Sequence, residues 1–193
     1  MSGLQKSYLN KIKKNLHAYH GKRGEVIGMS NNALHHAKRA IFALHRDNKK
    51  EAVEKIKMVE KSLKDIYKKY KTTPKIFNEG SFKAALEEYV EAKIFFEFLE
   101  TGKVSEIKTL PIPEEIYLAG LCDVPGELYR YAIKSATNKD IKTTKKCAEM
   151  AQEIIGELIE FNLTSYLRTK FDQAKGAVNK LQNVVYELSL KED

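Results

Sequence analysis

The sequence predicts an all-α bundle of about seven long helices, and three observations predict it. Apolar residues recur at three- and four-residue steps along nearly the whole chain. No alternating strand pattern occurs. Only four prolines, Pro74, Pro111, Pro113 and Pro125, break a chain of 193 residues. That length suits one domain, expected over 1–193. Hydrophobic residues are 42% and charged residues 31%, which suits a globular protein with one sizeable core.

The first helical region runs from about Lys6 to Arg46, with Gly21, Gly24 and Gly28 weakening its middle. Leu34, Ala37, Ile41 and Leu44 mark its apolar stripe, while His35, Arg39, Ala43 and Arg46 fall on a mostly polar side. A second helix spans about Asn48 to Tyr70. Its seam is Ala52, Ile56, Val59, Leu63, Ile66 and Tyr70, alternating steps of four and three. The stretch KTTPKIFNEG reads as a linker, broken by Pro74 and Gly80. A third helix starts near Ser81 and stops at Thr101–Gly102, where glycine is the expected terminator. A connector with room for one helical turn leads to Pro111-Ile112-Pro113.

Pro113 opens the next helix, followed by Glu114 and Glu115, which suit the positive end of the helix dipole. This helix reaches about Ala136 with a kink expected at Pro125. After a turn at Asn138–Asp140, helices cover about Ile141–Phe161 and Ser165–Leu190. The last has the seam Leu167, Phe171, Ala174, Val178, Leu181, Val185 and Leu188. That period implies long, nearly parallel packing. Helices of this length extend past one core, so an oligomer is expected.

No apolar run is long enough to span a membrane, and the start MSGLQKSYLNKIKK lacks the apolar core of a signal peptide. No membrane association and a cytoplasmic location are expected. Cys122 and Cys147 make no disulfide framework and read as reduced, buried thiols. With 34 Lys and Arg against 26 acids, the net charge is +8. Nucleic acid, an acidic membrane surface and acidic proteins are all compatible partners, as is a merely solvated lysine surface.

Against this basic background, four acids stand out. Glu88 and Glu91 lie three apart, Asp123 and Glu127 four apart, each pair on an otherwise apolar face. The first three have no basic residue three or four positions away, and like charges at that spacing repel by roughly 0.2–0.5 kcal/mol per pair. Glu87 has Lys83 four residues before it and reads as an ordinary surface acid. Glu127 has Arg130 three residues on. Gly120, on the face of Asp123, would admit close approach of a helix or ligand. Two readings stand on the residues alone: surface acids paired with lysines elsewhere, or an all-oxygen site for a divalent cation. A ferritin-type centre requires Glu-x-x-His, which is absent, and oxygen donors suit Mg²⁺ or Mn²⁺ rather than zinc. His17, His20, His35, His36 and His45 fit no metal-ligand spacing and read as satisfied or surface histidines. No phosphate-cradling glycine loop, Gly-x-Ser-x-Gly or Cys–His arrangement occurs.

Four blocks resemble a known family. Tyr19–Arg46 (YHGKRGEVIGMSNNALHHAKRAIFALHR) resembles the first long helix of the translin superfamily, with Lys38-Arg39-x-Ile41-Phe42-x-Leu44-His45-Arg46 closest to the Trax branch (translin-associated factor X). Leu86–Ala92 (LEEYVEA), Ala119–Asp140 (AGLCDVPGELYRYAIKSATNKD) and Phe171–Lys191 (FDQAKGAVNKLQNVVYELSLK) resemble the later blocks, in family order. The resemblance implies a seven-helix, translin-like fold and a closed octameric shell holding RNA. The Trax branch is a Mg²⁺-dependent endoribonuclease, whereas the translin branch mainly binds nucleic acid. By motif, the Trax catalytic and metal-binding carboxylates fall on Glu88, Glu91 and Asp123; Glu127 matches the adjacent acid and is expected to join the catalytic and metal-binding set as a ligand, an orienting residue or the base. Translin lacks the aspartate, so Asp123 points to the catalytic branch. The chain is short, carries Pro125 inside the motif and lacks the long insertion of eukaryotic Trax. It resembles an archaeal homologue forming a homo-octamer.

The resulting expectation is a Mg²⁺-dependent endoribonuclease, with Mn²⁺ as an alternative ion. Lys22, Arg23, Lys38, Arg39, Arg46 and Arg130 would hold the backbone of RNA, single-stranded or duplex, or of single-stranded DNA. The alternatives are a non-catalytic translin-like binder of RNA or single-stranded DNA, and a purely structural helical protein.

Overall fold

The computed structural model describes residues 4–190. The two ends of the expected domain, 1–3 and 191–193, lie outside the described residues, as does Lys191 of the closing block. The elements are α1 (Lys6–His45), α2 (Lys49–Lys69), a 3-10 turn (Pro74–Asn78), α3 (Gly80–Thr101), α4 (Glu114–Thr137), α5 (Ile141–Leu158) and α6 (Ser165–Ser189). The all-α class holds, with six α-helices among the described residues rather than about seven. The count is lower because α1 is unbroken and residues 102–113 hold no helical turn.

α1 runs for 40 residues straight through Gly21, Gly24 and Gly28. A Cβ at any of the three would meet nothing within 4 Å, so neither packing nor backbone demands glycine there. Burial on α1 begins only at Val26; before it, Ile12 and Tyr19 are half-buried and the rest is exposed. The α2 seam is buried in full, from Ala52 to Tyr70. Each aliphatic side chain of that kind contributes about 1.5–3 kcal/mol. Asn48 caps α2 by accepting from Glu51 N–H at 3.2 Å. Gly102 stops α3 in the left-handed region at φ 71°, its N–H donating to the Phe98 carbonyl at 2.8 Å. α4 continues through Pro125 to Thr137.

α1, α2 and α3 pack together, as do α4, α5 and α6; α3 and α4 form the main joint between the two groups. Gly120 makes that joint tight. A Cβ there would stand 2.7 Å from Val90 Cβ and 2.8 Å from the Glu87 carbonyl oxygen. The close approach anticipated for Gly120 is thus to α3. One expectation for α1 is corrected: Ala43 is fully buried rather than on the polar side. α1 is covered by both α2 and α3, so its buried arc is wider than a single stripe and takes in Ala33, Ala37, Ala40 and Ala43.

Candidate carboxylate site at the α3–α4 joint

The joint brings the predicted acids into one neighbourhood. Glu87, Glu88 and Glu91 come from α3, and Asp123 and Glu127 from α4. α1 adds Lys38 and His45, and α6 adds Lys170.

Glu91 is 7% exposed, and among the described residues no hydrogen bond or ion pair reaches its carboxylate. Burial, then the charges of Glu88 and Asp123, push its pKa up to about 8 against the weaker pull of Lys170 and Arg130. Burial also raises Glu88, with Lys38 opposing and Asp123 adding to the rise. The Lys38 ammonium stands 4.0 Å from Glu88.

Asp123 is engaged differently. Burial raises its pKa while a hydrogen bond from the Lys170 ammonium opposes the rise. The same ammonium lies 2.5 Å from Glu87 Oε1, and the Tyr166 hydroxyl donates to Glu87 at 2.9 Å. Burial alone would lower the Lys170 pKa; its hydrogen bonds to Asp123 and Glu87 more than offset this and keep it charged. Glu87 is therefore no ordinary surface acid, and its partner is Lys170 of α6 rather than Lys83.

Glu127 is 3% exposed and fully partnered. Arg130 pairs with Oε1, as the i, i+3 spacing suggests, and His45 Nε2 lies 2.6 Å from Oε2. Burial, then Arg130 and Lys134, push the His45 pKa down to about 4, and toward the carboxylate oxygen Nε2–H donates. Arg130 already matches the Glu127 charge, leaving His45 a donor rather than a counter-charge. Phe95 packs against His45 with ring centroids 5.1 Å apart, and Lys134 donates to the His45 carbonyl at 2.8 Å.

His45 and Lys170 are the site residues that sequence reasoning misses. His45 carries a signal within the Leu44-His45-Arg46 block. Lys170 carries only its place beside the seam residue Phe171.

The donor chemistry suits a hard cation: the acids supply oxygen only, and Glu91 is a buried carboxylate with no positive group in contact among the described residues. Bonding geometry is not formed, since among the described residues no three His, Cys, Asp or Glu side chains are arranged to hold a metal ion. Asp123 is taken by Lys170, and Glu127 by Arg130 and His45.

The six predicted phosphate-binding cations fall into three groups by what they touch. Lys22 donates to Thr73 at 3.2 Å and Arg23 to Glu79 at 2.8 Å, both beside the 3-10 turn. Arg39 on α1 and Arg46 just past its end both meet Glu51, at 3.5 and 3.0 Å. Lys38 and Arg130 flank the acids.

The Translin family profile matches residues 21–192. The chain belongs to the Translin family. An uncharacterized protein of Methanocaldococcus jannaschii, MJ0175, is 25% identical over 163 residues, covering 82% of this chain and 72% of the relative. The crystal structure of AfC3PO is 26% identical with a TM-score of 0.87, covering 95% of this chain and 98% of that one. The AfC3PO–duplex RNA complex is 24% identical with a TM-score of 0.87, covering 95% and 97%. The structure of apo-NeC3PO is 22% identical with a TM-score of 0.83, covering 92% and 95%. No helix among the described residues is long and apolar enough to cross a membrane.

Proposed function

We propose that this Translin-family chain is a Trax-like, Mg²⁺-dependent endoribonuclease that acts in the cytoplasm and encloses RNA in a homo-octameric shell. The observation that carries the catalytic part is Glu91, a buried carboxylate without a partner among the described residues, set between Glu88 and Asp123 at the α3–α4 joint. Glu88, Glu91 and Asp123 would hold the ion. Mg²⁺ bound there, or Mn²⁺ in its place, supplies the charge that polarises a phosphate oxygen and eases formation of a nucleophile from water. Glu127, held by His45 and Arg130, would orient the neighbouring groups one turn after Asp123. Lys38 and Arg130 sit beside the acids and would position the scissile phosphate.

Arg23, Arg39, Arg46 and Lys22 would follow the backbone. Their existing partners are surface contacts worth roughly 0–1 kcal/mol each, which phosphates readily replace. A backbone-led contact favours shape over sequence and accommodates duplex or single-stranded RNA. The structural likeness to AfC3PO in complex with duplex RNA supports this partner class. Exposed Tyr8, Leu9 and Leu16 on the projecting arm of α1 support assembly with further copies.

The test is incubation of the purified protein with labelled single- and double-stranded RNA, with and without Mg²⁺. Wild type cleaves only with Mg²⁺, and Asp123→Asn lowers the rate by roughly a hundredfold or more. Undiminished cleavage by the variant sinks the assignment. The capture of Asp123 by Lys170 favours a second reading, a binder of RNA or single-stranded DNA that does not cut; tight, salt-sensitive binding with no product in Mg²⁺ or Mn²⁺ identifies it.

A further inference from the structure

Lys170 occupies the place where the site most needs positive charge. Its side chain is 11% exposed, and its ammonium bridges Asp123 of α4 and Glu87 of α3. Its stem crosses from α6, and the Tyr166 ring lies 5.3 Å from the ammonium. Four acids, Glu87, Glu88, Glu91 and Asp123, share this neighbourhood, and among the described residues Lys170 is the one cation that touches two of them. An ammonium offers one charge and three donors, so it satisfies two carboxylates and leaves Glu91 unmet. A divalent cation offers two charges and takes oxygen from several carboxylates at once. The two compete for Asp123, because both use the same carboxylate oxygens.

We propose that Lys170 is a built-in counter-cation that holds the carboxylate site closed in the absence of metal and is displaced from Asp123 when a divalent ion binds. This rests on the reading of Glu88, Glu91 and Asp123 as cation ligands. It accounts for the lack of a preformed ligand set around an unpartnered buried acid. The lysine stabilises the joint without metal and raises the ion concentration needed to fill the site. A flexible four-carbon stem on the first turns of α6 lets the ammonium leave without moving a helix.

The experiment titrates Mn²⁺ alone into the full chain, following the free aqueous ion by electron paramagnetic resonance, with thermal melts in parallel. Lys170→Met is expected to bind Mn²⁺ roughly tenfold more tightly than wild type, since an internal competitor is gone. Its melting temperature falls in EDTA and recovers with Mn²⁺. Lys170→Arg, which keeps the charge, shows no gain in affinity. Lys170→Gln, which keeps a donor for Asp123 and Glu87, carries the same comparison if the methionine variant does not fold. Equal or weaker binding by the neutral variants overturns the role of Lys170 and leaves the cation site standing. Absence of Mn²⁺ binding by wild type and variants alike overturns the cation reading and this inference with it.

Discussion

Glu91 and Glu127 are both buried carboxylates, 7% and 3% exposed, on facing helices of one joint. Their surroundings are opposite. Glu127 has a guanidinium on one oxygen and an imidazole N–H on the other. Glu91 has no hydrogen-bonding or charged partner in contact among the described residues, and two acids for neighbours. Similar burial therefore goes with opposite surroundings. Breaking a buried pair leaves an uncompensated charge, whereas a buried acid with no partner carries the cost of burial unrelieved.

The sharpest way to break this contrast is to neutralise each acid. In the folded chain Glu91 keeps its proton up to about pH 8, against an ordinary value of 4.5. The folded state then binds more protons than the unfolded one between those values. Metal-free stability must fall as pH rises through that window, by a few kcal/mol in all. Glu91→Gln is expected to remove this decline and to be the more stable protein at pH 9, as urea unfolding in EDTA at pH 5, 7 and 9 would show. A wild type whose stability does not fall over that range contradicts the picture of an unpartnered acid.

Next in size is the joint itself. Gly120→Val drives a side chain into Val90 and the Glu87 carbonyl, where contacts are already at 2.7–2.8 Å for a Cβ alone. A loss of about 3 kcal/mol or more is expected, since the obstacle includes backbone. Both acids lose their setting together, so metal affinity and stability fall in parallel.

The smallest effect belongs to the partnered acid. Glu127→Gln keeps an acceptor for His45 and gives up the Arg130 pair, whose guanidinium is largely exposed. Thermal or chemical unfolding should register a loss of about 1 kcal/mol. A gain in stability would place Glu127 in the same class as Glu91.

The sequence is most legible where one helix buries one stripe. Every residue of the predicted α2 seam is buried, and the α3 stop at Gly102 falls where expected. It is least legible where a position is shared by several helices. Ala43 escapes the single-stripe reading because α1 is covered from two sides. Glu87 looks like a surface acid because a lysine four residues away is the nearest candidate along the chain, whereas its partner comes from α6. The acids themselves are visible through their spacing, and Gly120 marks where a close approach would occur. His45 and Lys170 are not visible in this way, since each reaches its acid across tertiary contacts that periodicity does not encode.

The assembly of the site from four helices also fixes when it can exist. As the chain leaves the ribosome, α1 to α3 emerge first, carrying Glu88 and Glu91 but no Asp123. α4 completes the acid set, and only the first turns of α6 bring the ammonium that neutralises part of it. During synthesis the acid set is thus complete before its own cation arrives. In that interval Asp123 has emerged without the ammonium that engages it in the finished fold.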